Sequence, residues 1–208
     1  IYFADEAGQC HCAAKIGLRD VHGSHLVNCG DYLVWVGYSS KYFPETGGEP
    51  ARTFVFFSKV RGSRLVLERF DEQFRHPREG YCGVACYDQA TEKLVMLWEL
   101  VSHGIETYTI RAGRVKDFAQ WRIEEINVSG LEPFTFVQAD LSPDGQLLGV
   151  VNMAGEFSCL SVADGRVLAT LAGSAPFTSV ASGAHGSEFW LVEARTGLYR
   201  CALVEGTA

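Results

Sequence analysis

Four short apolar segments joined by three tight turns restrict the possible fold more than any other part of this sequence. The segments cover residues 134–141, 146–151, 156–162 and 166–171, and the turns contain Pro143-Asp144-Gly145, Ala154-Gly155 and Asp164-Gly165. In such turns Pro fixes φ at the first corner, and Gly accepts the positive φ that a tight hairpin needs. The pattern therefore predicts a four-stranded antiparallel unit over residues 133–172, with a hairpin at Pro143-Asp144-Gly145 and no helix.

The second segment of this unit is apolar at consecutive positions from Leu147 to Val151, with Gly149 among them. Consecutive apolar residues suit a strand that is covered on both faces, whereas a half-exposed strand alternates. A four-stranded meander whose second strand is doubly buried is typical of one blade of a β-propeller.

Similar units recur along the chain. The middle of the first strand is predicted at Val27, Val84, Val137 and Val180, and the middle of the second strand at Val34, Val95, Leu148 and Trp190. The last spacing lies in the range of about 40–45 residues that WD40-type blades show, and the longer spacings before it require insertions. We expect one insertion at residues 38–50, between the second and third strands of the first full blade, and another near residues 124–133, after the fourth strand of the next.

These units predict an all-β fold, a partial WD40-like β-propeller with about four to five blades of a larger ring. The predicted organisation is a single arc over residues 1–208, and its last unit shows three evident strands. The arc comprises a remnant blade at 1–20 and blades near 22–71, 80–125, 133–172 and 176–205. Because the first residue is Ile, we expect the chain to be a segment of a longer polypeptide.

The charge balance argues against nucleic acid as a partner. The chain has 18 Lys and Arg against 25 Asp and Glu, a formal net charge of −7. A protein that binds through phosphate neutralisation needs a basic face, which this composition does not favour. The sequence has neither the apolar run of about 18 residues that a membrane helix needs nor a signal peptide, so we expect no membrane insertion.

The seven cysteines are an odd number and too few for a disulfide scaffold, which favours reduced thiols and a cytoplasmic location. They are Cys10, Cys12, Cys29, Cys82, Cys86, Cys159 and Cys201. Cys10-His11-Cys12 has the ligand types of a zinc site, but on a strand His11 faces away from the two cysteines. Cys82 and Cys86 share one strand face, where a disulfide is geometrically poor. We predict no structural zinc and no metal-ligating residues.

The sequence also lacks a recognisable catalytic arrangement. The six histidines are scattered, and no nucleophile elbow, His pair or carboxylate pair accompanies them. They are His11, His22, His25, His76, His103 and His185. We therefore predict no enzyme, no catalytic residues and no cofactor. The alternative is a lactonase-like propeller hydrolase with calcium in its central channel, for which Asp140, Asp144 and Asp164 are acidic residues at turns, where hairpin chemistry is the favoured role.

Aromatic and charged residues fit structural roles in such a fold. Trp35, Trp98 and Trp190 fall in second strands and are expected to pack between blades, while Trp121 lies beside a strand. The Gly-His and Trp-Asp signatures of WD40 blades are missing. The charged residues at 68–72 and 122–126 are expected at strand ends that run into solvated loops, and Arg75-His76-Pro77-Arg78 is a small basic segment that suits an acidic partner.

Six segments, in collinear order over about residues 30–172, carry a resemblance to a known family. They are residues 32–38, 53–58, 80–87, 93–98, 104–110 and 141–148. They resemble the N-terminal propeller of the neuroblastoma-amplified sequence family of vesicle-tethering subunits. This resemblance implies a complex at the endoplasmic reticulum that captures Golgi-derived vesicles, and it brings no catalytic residues.

From the residues and the resemblance together we expect a protein-interaction scaffold in Golgi-to-ER retrograde transport. Its partners would be proteins, either tethering-complex subunits or membrane-fusion proteins, and its location would be cytoplasmic and peripheral at the endoplasmic reticulum. The insertion at residues 38–50 is expected to make contacts from a rigid frame.

Overall fold

The computed structural model describes residues 2–4, 10–12, 21–30, 32–39, 53–61, 64–71, 80–102, 105–115, 124–131, 136–195 and 197–203. Within these ranges every extended regular element is a β-strand, which confirms the predicted all-β class. The chain divides into two compact units, Ile1–Cys82 and Gly83–Ala208, which are described separately. The prediction that all 208 residues form one arc stays a prediction.

The first unit contains a short hairpin and one four-stranded sheet. In the hairpin, β1 (Tyr2–Ala4) pairs antiparallel with β2 (Cys10–Cys12). Sheet 1 consists of β3 (Val21–Cys29), β4 (Tyr32–Ser39), β5 (Thr53–Arg61) and β6 (Arg64–Asp71), in that spatial order. The side chains of Val34 and Val36 in β4 are buried. The loop predicted at residues 38–50 lies outside the described residues apart from the end of β4.

The second unit contains three sheets in which spatial order follows sequence order. Sheet 2 consists of β7 (Gly80–Asp88), whose first residues belong to the first unit, with β8 (Lys93–Ser102), β9 (Ile105–Arg114) and β10 (Glu124–Val128). Sheet 3 consists of β11 (Phe136–Leu141), β12 (Leu147–Asn152), β13 (Glu156–Ser161) and β14 (Val167–Ala172). Sheet 4 consists of β15 (Phe177–Ser182), β16 (Glu188–Glu193) and β17 (Gly197–Ala202). The four strands predicted in the 133–172 unit and the three predicted in the last unit are confirmed.

The hairpin between β11 and β12 shows why the turn residues predicted the fold. Gly145 has a φ of 68°, and its amide donates to the Ser142 carbonyl oxygen at 2.8 Å. The Asp144 carboxylate accepts from the Ser142 hydroxyl at 2.6 Å and from the Gln146 amide at 3.1 Å. These local bonds close the turn and fix the register of the two strands.

Strand β12 is covered on both faces, as its consecutive apolar residues predicted. Leu148 and Val150 belong to a core shared with sheet 2, which includes Val95, Leu97 and Ile110. On the other face, the core between sheets 3 and 4 contains Val151, Phe157, Cys159, Phe177, Val180, Phe189 and Leu191. The three sheets of this unit are therefore stacked, with β12 in the middle of the stack.

The prediction of an insertion near residues 124–133 was wrong for residues 124–128, which form β10. This strand pairs with β9 over five residues, from Glu124 opposite Ala112 to Val128 opposite Tyr108. Because β10 is the outer strand of sheet 2, Glu124 and Glu125 are exposed and can carry charge within a strand. The charged pair Glu124 and Glu125 therefore belongs to an outer strand and not to a loop. The predicted blade boundary at residue 125 falls inside β10.

Candidate protein-interaction surface

Three connections of the second unit meet at one end of sheets 3 and 4, and we call residues 153–155, 173–176 and 194–195 the apolar turn face. The Phe177 amide donates to the Gly155 carbonyl oxygen at 2.9 Å. The Ala194 amide donates to the Pro176 carbonyl oxygen, also at 2.9 Å. A Cβ at Gly155 would lie only 2.3 Å from Cβ of Pro176, so the two connections are in close contact.

A buried carboxylate fixes the middle connection of this face. Glu193 is only 3% exposed. Its Oε1 accepts hydrogen bonds from the Ala175 amide at 2.7 Å and from the Ser174 hydroxyl at 3.1 Å. Its Oε2 accepts from the Tyr199 hydroxyl at 2.8 Å. Three donors compensate the burial of this carboxylate, and they tie β16, β17 and the 173–176 connection together.

Met153 is the most prominent side chain of the apolar turn face. It lies in the turn between β12 and β13 and is 69% exposed, the highest value among the exposed large hydrophobic residues described. Pro176 and Arg195 of the neighbouring connections are also exposed. Loops held on a rigid frame are where proteins commonly place their binding residues.

The opposite end of the sheets carries the turns between first and second strands, and we call residues 88–92, 142–146 and 183–187 the acidic turn face. Asp88 accepts from the amides of Ala90 at 2.9 Å and Thr91 at 3.0 Å, which closes its own turn. Neighbouring turns adjoin, because a Cβ at Gly145 would lie 3.2 Å from Thr91 Oγ1 and one at Gly186 would lie 3.0 Å from Asp144 Oδ2.

The acidic residues of the calcium alternative have structural partners: Asp144 and Asp164 bond within their own turns, and Asp140 bonds to the neighbouring sheet. Asp140 Oδ2 accepts from the Ser182 amide at 2.7 Å and from the Ser182 hydroxyl at 2.9 Å, which joins β11 to β15. A hydrogen bond from the Ser142 side chain lowers the pKa of Asp144, and one from the Ser161 side chain lowers the pKa of Asp164. Within the described part of the chain, no three His, Cys, Asp or Glu side chains are grouped so as to hold a metal ion.

The cysteines with described side chains form no disulfide and lie in largely apolar surroundings. Cys29, Cys86 and Cys159 are buried, and Cys201 is partly buried. Burial raises the pKa of Cys29 and of Cys159 to about 12, which keeps both thiols protonated. Low thiolate content makes these side chains poor nucleophiles and poor metal ligands. The side chains of Cys10, Cys12 and Cys82 lie outside the described residues.

The tryptophans and basic residues are divided between described and undescribed segments. Trp98 is buried, and the Arg111 guanidinium carbon lies 4.3 Å from the centre of a Trp98 ring. Trp35 and Trp190 lie in second strands, as predicted, and are partly buried. Their packing between blades stays a prediction, since Trp190 alternates with Phe189 and Leu191, which are the β16 residues that pack on sheet 3. Trp121 and the basic segment Arg75-His76-Pro77-Arg78 lie outside the described residues. Of the six histidines, only His25 and His185 have described side chains, and His185 is exposed on the acidic turn face.

Sequence reasoning did not identify the apolar turn face. Met153 precedes Ala154 and Gly155 in a predicted turn, and a bulky apolar residue at the tip of a tight turn was the available signal. No sequence pattern indicated the role of Glu193, because its donors Ser174, Ala175 and Tyr199 come together only when sheet 4 is packed.

Comparison with known proteins shows the fold class. No family model and no curated protein matches the chain. The structure of apo AztD from Citrobacter koseri is similar over 86% of this chain and 44% of that one, with 10% identity and a TM-score of 0.51. A structure described as the complex of KlAtg21 with the coiled coil of AgAtg16 is similar over 89% and 54%, with 11% identity and a TM-score of 0.53.

This chain thus matches about half the length of each of these two solved structures. At such low identity the likeness concerns the fold alone, and together with the stacked meanders it identifies an all-β, WD40-like partial propeller. In the described residues, no helix is long and apolar enough to cross a membrane. The resemblance to the tethering family stays a prediction.

Proposed function

We propose that this chain is a protein-interaction scaffold that binds a partner protein through the apolar turn face and carries no catalytic site of its own. The observation that carries the proposal is the exposed Met153 side chain on connections that backbone hydrogen bonds and Glu193 hold in place. A preorganised surface loses little conformational entropy on binding, which favours affinity for a modest contact area.

The chemistry of this face fits the apolar side of a partner helix. Met is adaptable and polarisable, and it is common at surfaces that accept helices. Arg195, exposed on the 194–195 connection of the same face, suits an acidic residue next to the apolar stripe of such a helix. The KlAtg21 structure, which has the same fold, is a complex with a coiled coil, and this supports a helical partner without identifying one.

The finer form of the proposal follows from the resemblance to the tethering family. In that form the chain belongs to a subunit of a tethering complex on the cytosolic side of the endoplasmic reticulum, in Golgi-to-ER retrograde transport. Its net charge of −7 disfavours direct binding to anionic lipid, so membrane association would pass through tethering subunits or membrane-fusion proteins.

Affinity capture with a charged variant tests the proposal. Met153→Asp places a charge in the centre of the apolar turn face, and Leu171→Asp is the matched control, because Leu171 is exposed on the outer strand β14. Partners recovered with the unmodified chain should be identified by mass spectrometry and their affinity measured by calorimetry. We expect Met153→Asp to weaken binding at least about ten-fold, in line with a hot-spot residue, and Leu171→Asp to leave it unchanged.

Two outcomes would contradict the proposal, the first its binding face and the second its scaffold role. One is a partner whose affinity is equal for Met153→Asp and the unmodified chain. The other is a protein that recovers no partner and hydrolyses a lactone, which would support the alternative of a propeller hydrolase. Recovery of tethering subunits or membrane-fusion proteins would support the finer form as well.

A further inference from the structure

The outer strand of sheet 3 has no charged residue. Strand β14 consists of Val, Leu, Ala and Thr only, and its residues 169–172 are all exposed. In contrast, the outer strands β6 and β10 contain Glu residues, and the outer strand β17 contains Arg200. Charged side chains on an outer strand discourage the addition of a further strand. Because β14 lacks this protection, its outer edge can pair with another extended segment.

The backbone groups at this edge follow from the hydrogen bonds of β13. The Ser161 amide donates to the carbonyl oxygen just before β14 at 2.9 Å, so the backbone of Ser161 faces β14. The same direction recurs at every second residue, and Phe157 therefore exchanges its backbone bonds with its partner Leu171. The amides and carbonyls of the adjacent residues Thr170 and Ala172 point the other way, to the open edge.

Only one end of the edge is already paired. The Val167 amide donates to the Ser129 carbonyl oxygen at 3.4 Å, so a short segment after β10 lies along the start of β14. The irregularity in the β13–β14 register lies at the same end. Leu131 then packs against the core between sheets 2 and 3, which takes that segment away from the edge. Among the described residues, none pairs with the outer side of residues 169–172, whose register with β13 is regular.

One face of β14 borders an apolar gap between the outer strands of sheets 3 and 4. Leu171 lies on the face that sheet 4 covers, since its partner Phe157 belongs to the core between these sheets. Tyr199 of β17 lies on the facing side of sheet 4, since its partner Leu191 belongs to the same core. Leu171 and Tyr199 are each 43% exposed. An added strand would therefore find apolar surface on both sides of this gap.

The other face of β14 is polar. The Thr170 hydroxyl lies 3.5 Å from the Ser158 hydroxyl of β13. Thr and Ser side chains on neighbouring strands stabilise each other across a sheet. A threonine opposite Thr170 would continue this row.

We propose that the outer edge of β14 binds an extended, uncharged segment of a partner protein, which adds to sheet 3 as an antiparallel strand. The backbone of this segment bonds to Thr170 and Ala172. Its residue opposite Leu171 is apolar, and the residues on either side of it are threonines or similar polar residues. In such additions the backbone bonds provide affinity and alternate side chains provide specificity. The proposal is independent of the helical partner assigned to the apolar turn face.

Size and charge favour a partner segment over a second copy of this chain. Two four-residue edges paired with each other would bury less than the about 1,000 Å² that a stable interface needs. Two chains of net charge −7 also repel each other. An uncharged segment meets no such repulsion, and the contact that it forms is a weak, reversible one.

A peptide titration followed by NMR tests the proposal. The probe is acetyl-Thr-Thr-Leu-Thr-Thr-amide, added to the isotopically labelled 208-residue chain. We expect the amide signals of Thr170 and Ala172 to shift and to saturate. At about ten times the Kd from this titration, hydrogen exchange of these two amides should slow about ten-fold by mass action. The amides of Ala169 and Leu171 already bond to β13, so their exchange should change little.

Two modified peptides show whether the backbone carries the binding. N-methylation of the two threonines next to the leucine removes the donors that face β14 and should weaken binding at least about ten-fold, the loss of about 1.4 kcal/mol. N-methylation of the leucine removes a donor that faces outward and should leave Kd within about three-fold. Equal Kd values for these two peptides would overturn the strand addition. Absence of any shift at about 5 mM unmodified peptide would also overturn it, since a Kd of about 1 mM would already give mostly bound chain.

Variants of the chain locate the site. Thr170→Pro removes the outward amide, at an edge position where proline is tolerated, and should weaken peptide binding at least about ten-fold. Thr170→Val keeps that amide and should bind normally. Leu171→Asp should lose the peptide, while the control Leu26→Asp, at an exposed leucine of the first unit, should retain it.

These variants also separate the alternatives. Because Leu171→Asp leaves the apolar turn face unaltered, its loss of the peptide concerns the β14 edge alone. Unchanged binding by Leu171→Asp would contradict the proposed site. Sedimentation of the chain alone and with peptide completes the test, since a dimer that the peptide dissociates would identify a second copy as the occupant and overturn the proposal.

Discussion

At the scale of single residues, Gly149 shows how little space remains between sheets 3 and 4. A Cβ at this position would lie 2.7 Å from a ring carbon of Phe189. The Phe189 ring in turn packs on Phe157, with centroids 5.6 Å apart. Glycine is required here for close approach of the sheets, since no positive φ is involved.

We predict that Gly149→Ala lowers the free energy of unfolding by about 1–3 kcal/mol, because the added methyl group overpacks the core. Urea denaturation of the 208-residue chain measures this change. In the double variant Gly149→Ala with Phe189→Leu, the leucine is smaller than the phenylalanine that it replaces and makes room for the added methyl group. The double variant should therefore lose less than the sum of the two single losses. Strict additivity would contradict the proposed clash.

Glu193 is the residue on which the apolar turn face depends. Glu193→Gln removes one acceptor oxygen and sets an NH₂ group against existing donors, so we predict a loss of about 2–3 kcal/mol in stability. Tyr199→Phe removes one of the three donors and should cost about 1 kcal/mol. Thermal and urea unfolding of both variants check the ranking. If Tyr199→Phe lost more stability than Glu193→Gln, the carboxylate would not be the centre of this hydrogen-bond network.

Asp144 gives the protein a small acid-dependent component of stability. Its pKa is lowered from the ordinary value of 3.8, chiefly by the hydrogen bond from Ser142. A group whose pKa is lower in the folded state stabilises the fold above its unfolded pKa, and this contribution is lost as the pH falls through the folded pKa. We predict that the stability difference between the unmodified chain and Asp144→Asn is present at pH 6 and narrows below pH of about 4.

Denaturation curves at several pH values measure that difference. Because Asp144 is largely exposed, solvent screens the effect and the difference should be small. Ser142→Ala serves as the control, since it removes the main cause of the lowered pKa. In the Ser142→Ala background, the Asp144→Asn difference should vary less with pH. A difference that is constant from pH 6 to pH of about 2.5 would contradict the assignment.

At the scale of elements, Arg111 connects three strands of sheet 2. It lies buried in β9, stacks on Trp98 of β8 and forms a 3.0 Å ion pair with Glu125 of β10. The planar guanidinium can stack and pair at the same time, which a lysine ammonium cannot do equally well. The Arg111 side chain therefore helps to hold the outer strand β10, in addition to its backbone pairing and the packing of Ile126 and Val128 on the core.

We predict that Arg111→Lys destabilises the protein by about 1–3 kcal/mol and increases hydrogen exchange of the β10 amides. Glu125→Gln is the matched variant, and because Glu125 is half-exposed its loss should be below about 1 kcal/mol. Calorimetry and hydrogen exchange with mass spectrometry distinguish the two. Equal losses for both variants would show that the ion pair outweighs the Trp98 contact.

Elements with local signals were predictable, and those that depend on distant contacts were not. The strands of sheet 3 followed from Pro143, Gly145 and Gly165, because turn chemistry acts within a few residues. Strand β10 was missed because Glu124 and Glu125 resemble loop residues until their position at an outer edge is known. The apolar turn face was missed because it arises from the contact of Gly155 with Pro176, which only the stacking of sheets creates.

At the scale of the whole molecule, the net charge decides which partners the protein accepts. With 25 acidic against 18 basic residues, the protein repels polyanions at long range. We predict no measurable binding to a fluorescent DNA or RNA oligonucleotide in about 0.15 M salt, measured by anisotropy. A salt-dependent affinity in the micromolar range would contradict this expectation and would indicate a local basic surface.

The order of the strands in each sheet has a consequence for synthesis on the ribosome. In sheets 1 to 4 each strand neighbours the next along the chain, so the sheets require short-range loop closure only. Each of sheets 1, 2 and 3 can therefore form as soon as its fourth strand has emerged from the exit tunnel, before the strands of the next sheet are available. We expect sheet 3 to resist protease already in ribosome-stalled chains in which sheet 4 is still inside the exit tunnel. Such vectorial folding shortens the time for which the apolar strands of a nascent chain are exposed. It therefore limits aggregation with nascent chains on neighbouring ribosomes.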